Sequence, residues 1–171
     1  MNLEWIFYLA AAIAFIASIK VVTGENAIHA LLYLVVSLLA VALCFYLLGA
    51  PFAAGLEVIV YAGAILVLFV FAVMMFDLQG DKQPVLFQQS WAATWLGPLL
   101  LTVSLAAMLG YILLTGSADK DIELGIVSAK QVGIALYGPY LLAVEIASFL
   151  LLAGLIAGYH FARTTNEGEP L

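Results

Sequence analysis

Apolar residues fill five long blocks of the chain, and Gly, Pro and charged residues gather in the stretches between them. An α-helix needs about 20 consecutive apolar residues to cross a hydrocarbon core of about 30 Å. The pattern therefore predicts five membrane-spanning helices, over residues 3–22, 27–48, 52–76, 91–114 and 139–161. Segments of about ten residues with alternating polarity, which would mark a membrane barrel, do not occur. The expected fold class is an all-α integral membrane protein, with residues 1–171 forming one five-helix transmembrane domain.

The boundaries of these helices have local causes. Asn26 stands where an N-cap of the second helix is needed, and Gly49-Ala50-Pro51 ends that helix before the third begins. Trp5, Tyr8, Trp91 and Trp95 suit the membrane–water interface, and Pro98, lacking an N–H, is expected to kink the first turns of the fourth helix. Ala10, Ala14 and Ser18 recur every four residues and predict a packing face on the first helix. Between the fourth and fifth helices, Ile122, Leu124 and Ile126 alternate with polar residues in a strand-like pattern. Ser128 and Gln131 then have capping-box spacing, so a brief surface helix should follow and end before Gly138. Pro139 suits the first turn of the fifth helix, where Gly154 and Gly158 form a GxxxG pair for close packing.

Composition agrees and adds exclusions. Hydrophobic residues make up 66% of the chain, charged residues 9%, and the mean hydropathy is +1.17, which excludes an ordinary water-soluble fold. The net charge of -6 comes from loops, chiefly Asp119 to Glu123, and no basic patch exists to neutralise phosphates, so nucleic acid is excluded as a partner. Cys44 is the only cysteine; it can make no intramolecular disulfide and reads as a small packing residue. The first apolar block carries Glu4 instead of a basic leader region and is expected to be a retained helix. With the N-terminus outside, Lys20, Lys82 and Arg163 fall inside against Lys120 and Lys130 outside, a small excess in the direction of the positive-inside rule. No internal repeat of the inverted-transporter kind is present.

The candidate chemistry sits inside the spans. Glu57 interrupts an otherwise uncharged third block, at a cost of about 2.5 to 3.5 kcal/mol even on lenient insertion scales, so it must face protein or water. Glu145 lies at a similar depth in the fifth block, which runs in the same direction. Two readings stand side by side: a proton-accepting or water-ordering pair, or two protonated carboxyls hydrogen-bonded as interhelical glue. Tyr61 follows Glu57 by one α-helical turn and shares its face in that register, as a proton-wire hydroxyl or as a tyrosine with one fixed partner. The collar Ala62-Gly63-Ala64 leaves the backbone thinly covered, and the bulky residues from Ile65 to Phe71, Leu66, Val67 and Phe69 among them, would act as a gate if the helix moved. His29 and His160 have no cysteine or carboxylate cluster beside them at ligand spacing, so a metal site is not expected. There is no phosphate loop, nucleophile elbow, CxxC or haem motif either.

Three segments together carry a family resemblance. They are His29-Ala30-Leu31-Leu32-Tyr33-Leu34, the run from Leu56-Glu57-Val58 through Tyr61-Ala62-Gly63-Ala64 to Val70, and Gly138-Pro139-Tyr140 through Glu145. They resemble the J-subunit family of bacterial proton-translocating NADH:quinone oxidoreductase, respiratory complex I, counterparts of mitochondrial NADH dehydrogenase subunit 6. The resemblance covers nearly the whole chain and is strongest in the third helix. It implies five spans in the bacterial inner membrane, with the N-terminus periplasmic and the C-terminus cytoplasmic. It also implies a π-bulge in the third helix, in the neighbourhood of Tyr61 to Phe69, that converts to regular α-helix and gates water. The partners implied are other membrane-arm components of complex I and membrane lipids. Those components are the H-type protein at the quinone site, the small A-type and K-type proteins, and the antiporter-like L-type and N-type proteins. FMN, iron–sulfur clusters, NADH and quinone would belong to other components of the complex, with no cofactor and no catalytic centre on this chain. Two other readings remain at this point: a subunit of a related cation/proton antiporter complex, and a purely structural spacer.

Overall fold

The computed structural model describes residues 3–24, 26–77, 91–115 and 126–163. Its helices are α1 (Leu3–Thr23), α2 (Ala27–Leu47), α3 (Pro51–Leu56), a π-helical segment (Glu57–Ile65), α4 (Leu66–Asp77), α5 (Trp91–Thr115), α6 (Ala129–Tyr137) and α7 (Leu141–Arg163). Among the described residues five helices are long and apolar enough to cross a membrane: Glu4–Thr23, Ala27–Leu47, Pro51–Met75, Trp95–Leu114 and Leu141–Phe161. These match the five blocks of the sequence to within two residues at almost every end. The strand-like alternation around Ile122 and Leu124, the charged connection from Asp119 to Glu123, the loop with Lys82 and Pro84, and the polar tail beyond Arg163 lie outside the described residues.

The residues gather into two compact units, Met1–Val127 and Ser128–Leu171. In the first, α2 is the central element: it packs on α1, on α5 and on every part of the third span. Lipid tails are as apolar as the helices, so association here depends on close packing and interhelical hydrogen bonds. The α1–α2 seam supplies both. Ile6, Ala10, Ile13 and Ala17 form a buried stripe on α1 with steps of four, three and four residues, and Val36, Ala40 and Leu43 answer from α2. Ala10, Ala17 and Ala40 have no exposed surface, so the two backbones approach across methyl groups. Leu105, Met108 and Ile112 of α5 complete the cluster, and Cys44 packs against it as a small residue.

The expected stripe of Ala10, Ala14 and Ser18 is half of this face. Ala10 is buried and Ala14 packs against the cluster, whereas Ser18 lies at the rim and bonds across the seam. The Ser37 hydroxyl donates to the Ala14 carbonyl at 3.1 Å, and the Ser18 hydroxyl lies 2.8 Å from it. Since Ser37 has one hydrogen and has spent it on Ala14, Ser18 is the donor in the second bond.

Both ends of α2 are closed by their own sequence. Asn26 accepts from the backbone N–H groups of Ile28 and His29, as an N-cap should. At the other end Gly49 takes φ 80°, a conformation glycine adopts without a Cβ clash. Its N–H donates to Tyr46 O and that of Ala50 to Phe45 O, the paired bonds of a Schellman cap. Pro51 follows as the first residue of α3, where its missing N–H costs nothing. The chain therefore reverses in three residues and lays the third span along α2.

In the second unit Ser128 and Gln131 form the capping box expected of them, and α6 ends at Tyr137 before the turn Gly138-Pro139-Tyr140. That turn is closed by Tyr140 N–H donating to Ala135 O and Leu141 N–H to Gly138 O. Pro139 thus precedes α7 by two residues instead of occupying its first turn. Along Leu141–Phe161 none of the residues is buried within this chain.

Candidate functional site

The third span begins as an ordinary α-helix at Pro51, becomes π-helical from Glu57 to Ile65, and returns to α at Leu66. At the exit the Leu66 N–H donates to Tyr61 O, five residues back, as a π turn requires. The expected bulge, Tyr61 to Phe69, overlaps this segment over Tyr61 to Ile65 and begins four residues too late. The segment as found is built from residues with small or β-branched side chains, apart from Glu57 and Tyr61.

Burial along the span shows what the wider turn does. The covered positions in sequence are Ala53, Ala54, Gly55, Glu57, Ala62, Leu66, Val70, Ala72 and Val73, and the residues between Glu57 and Ala62 are all exposed. One line runs through them from Ala54 by Glu57, Ala62, Leu66 and Val70 to Val73, with steps of three, five, four, four and three. An α-helix keeps one face with steps of three and four, so the single step of five is the π insertion seen from the side. One consequence concerns Tyr61. In an α register it would share the face of Glu57; here Ala62 takes that line, Glu57 is half-buried, and Tyr61 is 53% exposed.

The remaining gate residues divide along the same stripe. Leu66 is buried at 5% exposure and faces the bundle, while Val67 and Phe69 are exposed at 45% and 55%. Gly63 and Ala64 are exposed as well. A Cβ added to Gly63 would stand 3.2 Å from the Val58 carbonyl oxygen, tighter than ordinary contact. That carbonyl lies five residues back, the acceptor position of a π turn, so the crowding is a property of the π register.

Glu145 lies in the first turns of α7, is exposed, and its backbone carbonyl accepts from the Ser148 hydroxyl at 2.7 Å. Gly154 and Gly158 face open space, with nothing within 4 Å of an added Cβ. Among the described residues no three His, Cys, Asp or Glu side chains stand together as a metal site would need. The structure brings Glu57, Ala62 and Leu66 onto one covered line, and it sets Tyr61, Gly63, Ala64, Val67 and Phe69 off it.

Sequence reasoning did not find the contact that fixes the other wall of the bundle. The ring of Tyr33 on α2 reaches Gly97 on α5 so closely that a Cβ at position 97 would collide with its hydroxyl. The only sequence sign was a glycine directly before Pro98.

Fold and site define a class: a polytopic, all-α membrane protein whose third span is broken by a π segment carrying a carboxylate. The profile of the family described as NADH-ubiquinone/plastoquinone oxidoreductase chain 6 matches residues 17–161, and the chain belongs to that family. It is 48% identical over 169 residues to the NADH-quinone oxidoreductase subunit J of Escherichia coli (strain K12), covering 99% of this chain and 91% of that relative. It is 50% identical over 163 residues to the subunit J of Pseudomonas aeruginosa, covering 94% and 97% of the two chains. The subunit J of Buchnera aphidicola subsp. Schizaphis graminum is 40% identical over 163 residues.

Proposed function

We propose that this chain is the J-type membrane subunit of a bacterial NADH–quinone oxidoreductase and couples quinone reduction to proton translocation by a register change in its third span. The observation that carries the reading is the five-residue step from Glu57 to Ala62 in the covered stripe. A helix with one residue too many in a turn has an alternative, the regular α register, in which everything beyond the insertion is rotated by about 100° relative to what precedes it. In that register Leu66, Val70 and Val73 leave the bundle and a neighbouring set of side chains replaces them, which opens or closes a water path beside the span.

The collar makes the change inexpensive in sterics, because Ala62-Gly63-Ala64 offers no bulky side chain that must cross a neighbour. Glu57 stands at the entrance of the segment and Glu145 on α7, and both serve as proton-accepting or water-ordering groups in this reading. Moving one charge against 100 mV takes about 2.3 kcal/mol, comparable to a few rearranged hydrogen bonds, so a one-residue shift is sufficient in magnitude. This chain supplies no redox group in the reading. FMN, iron–sulfur clusters and the quinone site belong to other components of the complex. The H-type, A-type, K-type, L-type and N-type proteins are its membrane-arm neighbours, and the bacterial inner membrane is the location, with the N-terminus on the periplasmic side.

The experiment is substitution of Gly63 in the assembled enzyme, with quinone reduction and proton pumping measured together in membrane vesicles. Gly63→Ala and Gly63→Leu should both lower protons pumped per electron or slow turnover, the larger side chain more. Wild-type values for both quantities, with the third span still π-helical, would remove the hinge role. Glu57→Gln and Glu145→Gln divide the remaining alternatives: unchanged pumping in both single variants and the double variant assigns the carboxylates to packing.

A further inference from the structure

His29 is a polar residue of the bundle that the reading above does not use. It is the third residue of α2, its backbone N–H is held by Asn26 Oδ1 at 3.3 Å, and its ring stands edge-on to Tyr33 with centroids 6.2 Å apart at 80°. Tyr33 is itself stopped against Gly97 of α5, so the imidazole rests on a ring that has little freedom to yield. Its Nε2 is covered, yet has no hydrogen-bond partner among the described residues.

A ring nitrogen is always a donor or an acceptor, and a buried one without a partner calls for an explanation. The cover over Nε2 comes from this chain alone. A change within this chain that uncovers it would supply a partner. The changeable element shares this helix as a neighbour: α2 packs along α4 as well as along the π segment. Counting rise along the two antiparallel helices from the turn at Gly49, His29 stands about 27 Å from the end of α2, at roughly the level of Phe69 to Phe71 on the third span. This is the part of the span that rotates if the π segment becomes α.

We infer that Nε2 of His29 is a water-binding position, closed in the π register and opened when the second half of the third span turns. The inference rests on the proposed register change and adds a ligand, a single water, and a place for it, the end of α2 remote from Glu57. In the turned state Nε2 gains a hydrogen-bonded water and the water path gains a polar station where this stretch of α4 is wholly apolar.

The test uses the whole enzyme in membranes and a small acylating probe, diethyl pyrocarbonate, which reacts with a neutral imidazole nitrogen it can reach. Modification of His29 is read by mass spectrometry at rest and during turnover with NADH and quinone. Modification should be low at rest and rise severalfold on turnover, and Gly63→Leu, or Gly63→Ala if the larger residue prevents assembly, should suppress the rise. In parallel, His29→Phe should lower protons pumped per electron and His29→Gln, which keeps a polar atom, should restore part of the loss. Equal modification at rest and on turnover overturns the inference, as does a rise that the Gly63 variants leave intact. If His29 is unresponsive while Gly63 variants still uncouple the enzyme, the water position fails and the register change stands; if Gly63 variants pump normally, the register change itself fails.

Discussion

The α1–α2 seam and the collar of the third span are made from the same kinds of residue and use them in opposite ways. On the seam Ala10, Ala17 and Ala40 are wholly covered, and each methyl group meets a facing helix. In the third span Gly63 and Ala64 are exposed, and only Ala62 of the collar touches the covered line. Small residues that are covered bring backbones together and fix their spacing. Small residues that are uncovered free the backbone from its neighbours, and there the helix has left the α register. The first arrangement makes a frame of α1, α2 and α5, and the second makes the π-helical span laid along it, the element that moves in the proposed function.

That contrast is broken most directly at Gly97. A Cβ there would collide with the Tyr33 hydroxyl, and a ring pinned in the bundle cannot withdraw as a flexible chain end could. Gly97→Leu should therefore lower the amount of assembled enzyme in membranes more than any other single substitution considered. Gly97→Ala should do so less, in line with overpacking costs of about 1 to 3 kcal/mol. Tyr33→Phe removes the colliding oxygen and should recover part of the Gly97→Ala defect. Failure of that rescue, measured by native gel and by quinone reductase activity per membrane protein, would show that Tyr33 is not what the glycine accommodates.

A paired substitution sharpens the comparison itself. Ala40→Leu places extra carbons in a position with no exposed surface, whereas Ala64→Leu places them on an uncovered face. Ala40→Leu should reduce assembly, at an overpacking cost of about 1 to 3 kcal/mol, with the normal proton yield in whatever enzyme forms. Ala64→Leu should leave the subunit folded and lower the proton yield. The reverse outcome, assembly lost at Ala64 and coupling lost at Ala40, would exchange the roles given to frame and collar.

How far the sequence showed these two regions depends on polarity contrast. The spans, the Asn26 cap, the Ser128–Gln131 capping box and the Gly49-Ala50-Pro51 reversal are all legible, because each sets a polar or conformationally special residue against an apolar run. The register of the third span is not. Val58, Ile59 and Val60 are apolar and exposed, so the step of five leaves no mark in the pattern. An α spacing placed Tyr61 behind Glu57, and the wider turn put Ala62 there. On α1 the visible repeat of Ala10, Ala14 and Ser18 found one edge of the seam and missed Ala17, since Ile6 and Ile13 alternate with the alanines and hide the stripe among ordinary apolar residues. Tyr33 and Gly97 are joined only by the fold.

The smallest expected effect concerns what holds the frame together. Ser37 is 5% exposed and ties α2 to α1 through Ala14 O and Ser18. In water-free surroundings such a bond invites a large value, yet polar contacts between membrane helices average about 0.6 kcal/mol, because the separated helices also satisfy their hydroxyls. Ser37→Ala leaves the Ala14 carbonyl with its own helical bond and returns the Ser18 hydroxyl to a carbonyl one turn back, so neither partner is stranded. It should lower the thermal midpoint of the assembled enzyme slightly, and Ser18→Ala should lower it less, because Ser37 keeps its bond to Ala14. A Ser37→Ala enzyme that failed to assemble, as Gly97→Leu is expected to, would mean that the hydroxyls and not the alanine methyls set the spacing of α1 and α2. The frame would then be a polar lock, and the contrast with the collar would lie in hydrogen bonding instead of in cover.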